Sequence, residues 1–342
     1  ILERDLHFEK LVIPQIVETF FFNLAAVVFA VMGFGVTTFT YAVLLRGISG
    51  CITIYIISPW KIRLGFSKKV AKHLLSFGIP FQTNSILALL KDDLLIAYVG
   101  KILPLAQVGY IGFAQKWAFT PLRLIMDNVI RITFPSFARL QHEKEHLAKG
   151  IEKSLFVLGL TIFPSLVGLV ILAPSFLLVV PRYQKWEPAV LSLAFFAINA
   201  ALSSISTPLT NALNAIGKIK VSLYLMIFWT ITTWIITPLF IFWFGFNGFA
   251  AASAVIAGSV VIVVPLTRKF VQFSIVDLRV PVIATVVMGI FLFFFIKLFP
   301  TSIFSILLSI VAGGMLYLGV AYFLARDEVV KDIVLIKKQF IK

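Results

Sequence analysis

Apolar runs of about 20 residues recur from one end of this 342-residue sequence to the other, and that is the length an α-helix needs to cross a bilayer core of roughly 30 Å. Lipid offers no hydrogen-bond partners to the backbone, so runs of this kind fold as helices. Hydrophobic residues make up 60% of the sequence and its mean hydropathy is +1.01, values that exclude a soluble domain. The sequence therefore predicts an all-α polytopic membrane protein.

Ten transmembrane helices are predicted, because turn residues and basic residues separate ten apolar runs. The predicted spans are residues 11–32, 36–58, 74–99, 104–136, 154–179, 187–215, 220–244, 248–267, 281–299 and 302–325. An even number of spans places both ends of the chain on the same side of the membrane.

The distribution of basic residues predicts which side that is. With the first residues inside, the cytoplasmic segments hold 21 Lys and Arg residues and the opposite loops hold four. Since basic loops stay in the cytoplasm, both ends of this chain are predicted on the cytoplasmic side of the inner membrane. The net charge of +15 follows from this topology and from attraction to anionic membrane lipids, so no nucleic-acid partner is needed to explain it.

Five basic residues fall inside the predicted spans: Arg46, Lys91, Lys116, Arg123 and Arg131. A charge at membrane depth costs at least ~2.5 kcal/mol, so it normally faces a protein interior or a water-filled cavity. The last three lie on the helix 104–136, where they share a stripe roughly 80° wide with Asp127. Either Asp127 neutralises its Arg neighbours in a structural network, or the excess of cations suits an anionic ligand.

Two further helices carry polar clusters. In the helix 74–99, Asp92 and Asp93 are candidates to hold a coupling cation, and a structural salt bridge explains either residue equally well. The polar face of this helix is expected to line the same cavity as the cationic stripe. In the helix 187–215, five polar residues share one face: Asn199, Ser203, Ser206, Thr210 and Asn214. This uncharged face is predicted either to pack against another helix or to line a sugar-binding cavity.

Sequence motifs for enzyme chemistry are absent. The sequence contains no GxxxxGK[ST] phosphate loop and no HExxH or CxxC metal site. His142 and His146, in QHEKEH, fit a solvated helix start better than a metal site. We therefore predict a membrane transporter rather than an enzyme, with no cofactor and no metal.

Four runs in succession, LLSFGIPF, DDLLIAYVG, VGYIGFAQKW and FPSFARL, resemble the central region of Wzx-like polysaccharide-unit flippases. These flippases are members of the multidrug/oligosaccharidyl-lipid/polysaccharide exporter superfamily. The following FPSLVGLVILAP, the NALNAIGK turn and the terminal helix pair extend the resemblance over essentially the whole chain. It implies a fold of 14 helices, with two six-helix bundles and an accessory pair.

The resemblance also implies how this chain is divided. Residues 1–58 are expected to be the last two helices of the N-terminal bundle, 59–73 a basic cytoplasmic linker, 74–270 the C-terminal six-helix bundle, 281–325 the accessory helix pair and 326–342 a basic cytoplasmic tail. The opening ILERDLHFEKL lacks an initiator Met and looks like the family's link between its fourth and fifth spans. We therefore expect an N-terminally truncated fragment that lacks about four helices.

The function implied by the resemblance is export of an oligosaccharide repeat unit linked to a polyprenyl diphosphate, by alternating access, for surface polysaccharide biosynthesis. Its candidate substrate-binding residues are Arg46, Lys116, Arg123, Arg131, Asn199 and Asn214, and its candidate orienting or ion-coupling residues are Asp92, Asp93 and Asp127. Expected partners are the lipid-linked oligosaccharide and membrane lipids, with a polysaccharide polymerase and other assembly proteins as further candidates.

Two other functional classes remain open at this point. A multidrug/cation antiporter of the same superfamily would need a cavity with net acidic character, which the cationic stripe on the helix 104–136 disfavours. A non-transporting membrane scaffold is the other alternative.

Overall fold

The computed structural model describes residues 8–35, 37–59 and 67–340, and it divides the chain into two compact units, Ile1–Lys72 and His73–Lys342. Its α-helices are α1 Phe8–Val31, α2 Thr37–Ile57, α3 Lys68–Ile102, α4 Leu105–Arg139, α5 Lys144–Val179, α6 Val190–Ala215, α7 Ile219–Phe244, α8 Phe246–Ala257, α9 Val260–Arg268, α10 Arg279–Phe295 and α11 Ile303–Phe340. Two short 3₁₀ turns, Gln184–Ala189 and Val276–Leu278, precede α6 and α10. The described residues contain no β-strand.

The prediction of an all-α membrane protein is confirmed. All ten predicted spans are helical, and within the described residues eight helical segments are long and apolar enough to cross a membrane. Neither α3 nor α4 is among these eight, because charged and amide side chains dilute their apolar residues. These two helices are therefore the least suited of the ten predicted spans to contact lipid on all sides.

The predicted span 248–267 corresponds to one apolar segment, Phe246–Arg268, but a short break divides it into two helices, α8 and α9. The break lies at Gly258 and Ser259, and Gly/Ser pairs are a recognised cause of sharp helix kinks. Two hydrogen bonds of the 3₁₀ type tighten the turn. The Ser259 N–H donates to the Ile256 carbonyl at 3.0 Å, and the Ile262 N–H donates to the Ser259 carbonyl at 2.8 Å. The chain therefore crosses this region as two half-helices.

Two helices extend beyond their predicted ends. The helix α3 begins at Lys68, inside the predicted linker 59–73, of which residues 60–66 lie outside the described part of the chain. The helix α11 continues to Phe340, so its backbone is helical through most of the predicted tail 326–342. Both extensions lack Gly and Pro, and their Lys, Leu, Ala and Val residues can all continue a helix.

The first unit contains the hairpin of α1 and α2. Gly33 and Gly35, in the connecting segment, have φ values of 80° and 56°, a left-handed conformation that L-residues with a Cβ rarely adopt. Further along the hairpin, Gly50 of α2 lies against the side chain of Glu18 of α1, and a Cβ at this position would collide with the carboxylate. Glycine is therefore favoured at the turn by its backbone conformation, while at residue 50 a Cβ would require the flexible Glu18 side chain to move.

The second unit is built around α4, α5 and α6. Their shared core includes Met126 of α4, Leu158, Ile162 and Leu166 of α5, and Ala200 of α6, all less than 5% exposed. The pair α10 and α11 packs against α5, where the Tyr317 hydroxyl donates a hydrogen bond of 2.7 Å to the Leu160 carbonyl. The accessory helix pair is therefore part of the same compact unit as the helices 74–270.

Two hydrogen bonds from α7 to α3 are accepted by backbone carbonyls of α3. Thr230 donates to the Leu87 carbonyl at 3.5 Å, and the Trp234 indole donates to the Leu90 carbonyl at 3.2 Å. The Trp234 ring also contacts the Tyr98 ring, with centroids 5.8 Å apart. These contacts hold α3 along one wall of the second unit.

We expect Gly248→Ala to destabilise the protein by about 1–3 kcal/mol, the usual cost of overpacking. A Cβ at residue 248 would collide with the Phe240 carbonyl, which is backbone and cannot rotate away. Gly112→Ala is the matched control, because a Cβ there meets no atom within 4 Å and α4 would gain up to about 1 kcal/mol in helix propensity. Thermal unfolding in detergent measures both. A Gly248→Ala protein as stable as the parent would contradict the packing described for this turn.

Candidate functional site

Four ionisable side chains lie on one exposed face of α4: Lys116, Arg123, Asp127 and Arg131. We call these four residues the charged face. The buried residues Ala114, Ala118 and Met126 lie on the other side of the same helix and hold it against the core. The charged face is therefore directed away from the packed interior of the second unit.

Asp127 does not form the predicted ion pairs with Arg123 and Arg131. Among the described residues, no basic nitrogen lies within 4.0 Å of its carboxylate, although other acidic groups form such pairs. The i,i+4 spacing brings the Cβ atoms to about 5–6 Å but does not fix the rotamers of long exposed side chains. The expected role of Asp127 in orienting the Arg residues consequently has no direct contact to support it in this structure.

The three cations of the charged face extend along the helix axis. Lys116 and Arg131 are 15 residues apart, which corresponds to ~22 Å at a rise of 1.5 Å per residue. This distance is most of the roughly 30 Å hydrocarbon core of a bilayer. An anionic group moving along α4 would thus encounter fixed positive charge at several depths.

A separate cavity of about 450 Å³ lies inside the second unit, between α3, α6, α7 and the break that separates α8 from α9. We call it the polar cavity. Its lining is Phe81, Ser85, Ala88, Lys91, Asn199, Ser203, Ser206, Thr207, Thr210, Asn211, Asn214, Ser222, Met226, Trp229, Ile256, Ala257 and Ser259. The break matters here, because Ser259 at the break accepts a 2.7 Å hydrogen bond from the indole of Trp229.

The expectation that one cavity holds both the polar face of α3 and the cationic stripe of α4 is wrong for this cavity. Ser85 from the predicted polar face of α3 lines it, together with Lys91 from the other side of that helix, but no residue of the charged face does. The reason is the position of α6, which contacts α4 through apolar groups such as the Phe119 and Phe196 rings, 5.9 Å apart between centroids. The polar stripe of α6 lies on a different side of that helix and borders the cavity.

The predicted stripe on α6 both contacts another helix and lines a cavity. All five of its residues, Asn199, Ser203, Ser206, Thr210 and Asn214, line the polar cavity. Asn199 also joins two helices, because its amide donates a 2.7 Å hydrogen bond to the Ser253 carbonyl of α8. Ser203 donates to the Asn199 side-chain oxygen at 3.2 Å. Asn199 is therefore a packing residue at the edge of a cavity.

Asn214, at the other end of the stripe, has a different environment. Its side-chain oxygen is buried and has no hydrogen-bond partner among the described residues. A buried acceptor without a donor is unfavourable by about 1–3 kcal/mol, so such atoms are rare in folded proteins. Asn214 itself lines the polar cavity, so a rotation of its side chain would bring this oxygen within reach of a ligand there.

Lys91 is the only charged residue among the described residues that line the polar cavity. Its ammonium lies 2.8 Å from the carboxylate of Asp92, the next residue in the chain. The Lys91 side chain is 26% exposed and that of Asp92 is 62% exposed, and of the two residues only Lys91 lines the cavity. Asp93 is exposed, with no basic nitrogen within 4.0 Å among the described residues.

Arg46 lies in the first unit, where its Nε is 3.4 Å from the carboxylate of Glu18. Both residues fall near the middle of their helices, and therefore near the middle of the membrane if α1 and α2 cross it. Arg46 is 54% exposed and Glu18 is 30% exposed. The predicted substrate-binding cation thus has a counter-ion that sequence reasoning missed, although a lone acidic residue within an apolar helix was a usable signal.

The geometry defines a multi-pass membrane protein with an exposed cationic helix face and a polar interior cavity. Residues 1–191 match the family described as polysaccharide biosynthesis protein. The chain belongs to this family, which confirms the resemblance found in the sequence.

Several curated relatives are named for the biosynthesis or transport of polysaccharides. Over 167 residues the chain is 28% identical to the lipopolysaccharide biosynthesis protein WzxC of Escherichia coli (strain K12), covering 49% of this chain and 34% of that protein. Over 218 residues it is 21% identical to the succinoglycan biosynthesis transport protein ExoT of Rhizobium meliloti (strain 1021), covering 64% and 44%. The teichuronic acid biosynthesis protein TuaB of Bacillus subtilis (strain 168) is 26% identical over 165 residues, covering 48% and 34%. These matches span less than half the length of the relatives.

A solved structure has the same fold. The inward closed conformation of the lipid II flippase MurJ superposes with a TM-score of 0.67 and 18% sequence identity, over 92% of this chain and 68% of that chain. At this identity the comparison concerns architecture alone. It agrees with the helical exporter fold that the sequence resemblance implied.

The different environments of Asn199 and Asn214 predict different effects of Asn→Ala substitutions. Asn199→Ala removes an interhelical hydrogen bond, which in membrane proteins contributes about 0.6 kcal/mol and at most about 1.7 kcal/mol. Asn214→Ala removes an acceptor that has no partner, so we expect no loss of stability. Detergent thermal unfolding of the two variants side by side measures the difference. A larger loss for Asn214→Ala than for Asn199→Ala would contradict this assignment.

Proposed function

We propose that this protein is a flippase that moves polyprenyl-diphosphate-linked oligosaccharide repeat units across the cytoplasmic membrane for surface polysaccharide biosynthesis. The observation that carries the proposal is the charged face of α4, where Lys116, Arg123 and Arg131 are exposed and Asp127 neutralises none of them by contact. Family membership and the flippase fold support it. The protein acts as a transporter, without covalent chemistry of its own.

The chemistry of the cations fits a diphosphate. A phosphate that leaves water for a membrane cavity needs charged donors to replace its hydration. The guanidinium groups of Arg123 and Arg131 can each bind phosphate oxygens in pairs, whereas the Lys116 ammonium acts as a compact point charge. Because these charges occur at several depths along α4, the diphosphate passes from one cation to the next rather than remaining at a single site.

The transport cycle is alternating access, in which helix bundles rock so that the cationic site opens first to the cytoplasm and then to the outside. The protein lies in the inner membrane, with both ends of this chain on the cytoplasmic side. Lipid-linked oligosaccharide and membrane lipids are the binding partners, and a polysaccharide polymerase receives the exported unit. Arg46 contributes to headgroup binding by exchanging Glu18 for phosphate, and Asp92 or Asp93 takes the coupling cation.

Replacing either arginine should reduce export. We expect Arg123→Ala and Arg131→Ala each to lower it by about tenfold or more, the effect of losing one charge-assisted hydrogen bond. Membrane insertion should remain normal, because both side chains are exposed. The assay measures surface polysaccharide and the lipid-linked precursor retained on the inner leaflet, in cells whose own copy of the gene has been replaced by the variant at equal expression.

Arg139→Ala provides the matched control, because Arg139 is an exposed arginine of the same helix that lies outside the charged face. It should export normally. Normal export by both Arg123→Ala and Arg131→Ala would remove the charged face from the mechanism. Export of a cationic dye in place of the lipid-linked saccharide would instead identify a multidrug antiporter.

Asp127 provides a second test, because its carboxylate has no basic partner within 4.0 Å among the described residues. Asp127→Asn should leave detergent thermal stability unchanged, since no ion pair is broken. It should change export by strengthening the hold of the neighbouring cations on the headgroup, so that release becomes slower. A substantial loss of stability that Arg123→Gln restores in the double variant would show a structural ion pair instead.

A further inference from the structure

We infer that the polar cavity is a binding site for a sugar residue that bears a carboxylate, and that Lys91 selects for this acidic sugar. The inference rests on the proposed function, since the sugar would belong to the repeat unit that the flippase carries. It names the class of oligosaccharide, which family membership does not. The site is distinct from the charged face, because no residue of that face lines the cavity.

The charge of the cavity is the first step. Lys91 is the only charged residue among its described lining residues, and its partner Asp92 lies outside the lining and is 62% exposed. An ammonium has three donors, and the contact with Asp92 at 2.8 Å uses one of them. Two donors remain for a ligand, and within a membrane protein they are best satisfied by an anion.

The neutral groups of the cavity are the second step. The wall that α6 contributes carries only hydroxyl and amide groups, which can both donate and accept hydrogen bonds, as sugar hydroxyls do. Within this wall the Asn214 side-chain oxygen is buried and lacks a donor among the described residues. When the Asn214 side chain turns toward the cavity, a sugar hydroxyl can supply that donor, whereas a carboxylate cannot. The cavity thus offers an acceptor for a hydroxyl as well as a cation for a carboxylate.

The apolar groups of the cavity are the third step. Phe81, Met226 and Trp229 line it together with the polar residues. Sugars present apolar C–H faces between their hydroxyl groups, and aromatic side chains combine apolar area with defined geometry. The volume of about 450 Å³ lies within the range of small-molecule sites. An acyl chain would leave the hydroxyl and amide groups unsatisfied, and an organic cation would be repelled by Lys91.

The test uses two soluble disaccharides, cellobiuronic acid and cellobiose, which differ only by one carboxylate in place of a hydroxymethyl group. Their binding to the purified protein in lipid nanodiscs is measured by isothermal titration calorimetry. We expect cellobiuronic acid to bind about tenfold more tightly than cellobiose, as one charge-assisted hydrogen bond would produce. Lys91→Gln should abolish this preference and Lys91→Arg should retain it.

Lys101→Gln is the matched control, because Lys101 is an exposed lysine of α3 that does not line the cavity. It should leave both affinities unchanged. Asn214→Ala should weaken both disaccharides by a similar factor, since the hydroxyl that it accepts is common to them. Thermal unfolding of each variant confirms that any loss of binding is not a loss of folding.

Three results would overturn the inference: equal affinity for the two disaccharides, a preference for the acid that survives Lys91→Gln, or no saturable binding of either sugar to a folded protein. Binding of soluble sugars does not require flipping. A protein that binds cellobiuronic acid through Lys91 but exports no lipid-linked saccharide would therefore retain this site and lose the proposed function. Normal export combined with no sugar preference would do the reverse.

Discussion

The cost of placing charge inside a membrane is the constraint on which the organisation of this protein depends. Most of its length avoids that cost, because eight helical segments are apolar enough to face lipid. The remaining two spans, α3 and α4, carry the charged residues at predicted membrane depth in the second unit: Lys91, Asp92, Asp93, Lys116, Arg123, Asp127 and Arg131. A charge that is kept at membrane depth despite its cost of at least ~2.5 kcal/mol normally marks a pathway or a site.

The charges are handled in three physically different ways. In the first unit, Arg46 has Glu18 as a counter-ion, and Gly50 provides the space for that carboxylate. At the polar cavity, Lys91 has a partner that lies outside the cavity. On α4, the charges are exposed and share no ion pair within 4.0 Å among the described residues. Only the α4 charges are both numerous and uncompensated, which is why the proposed headgroup pathway follows that helix.

Sequence patterns predicted what depends on one helix at a time. The apolar runs predicted the helices of all ten spans, and the 3.6-residue period placed the five polar residues of α6 on one face. Features that depend on tertiary placement could not be predicted in this way. The polar cavity requires α3, α6, α7 and the break at Gly258 to meet, and the Glu18–Arg46 pair requires two helices to align. Asp127 shows a further limit, because spacing brings side chains near one another without fixing their rotamers.

The attachment of α3 to α7 has a consequence for how substrate specificity could evolve. The hydroxyl of Thr230 and the indole of Trp234 bind the carbonyls of Leu87 and Leu90, and a backbone carbonyl is the same whatever side chain the residue carries. Substitutions of cavity-lining residues of α3, such as Ser85 and Ala88, can therefore alter the chemistry presented beside Lys91 without removing these two hydrogen bonds. Near Lys91, the side chains of α3 that face the cavity are thus distinct from the backbone groups that accept hydrogen bonds from α7, so the surface of the cavity can change while these backbone contacts stay the same.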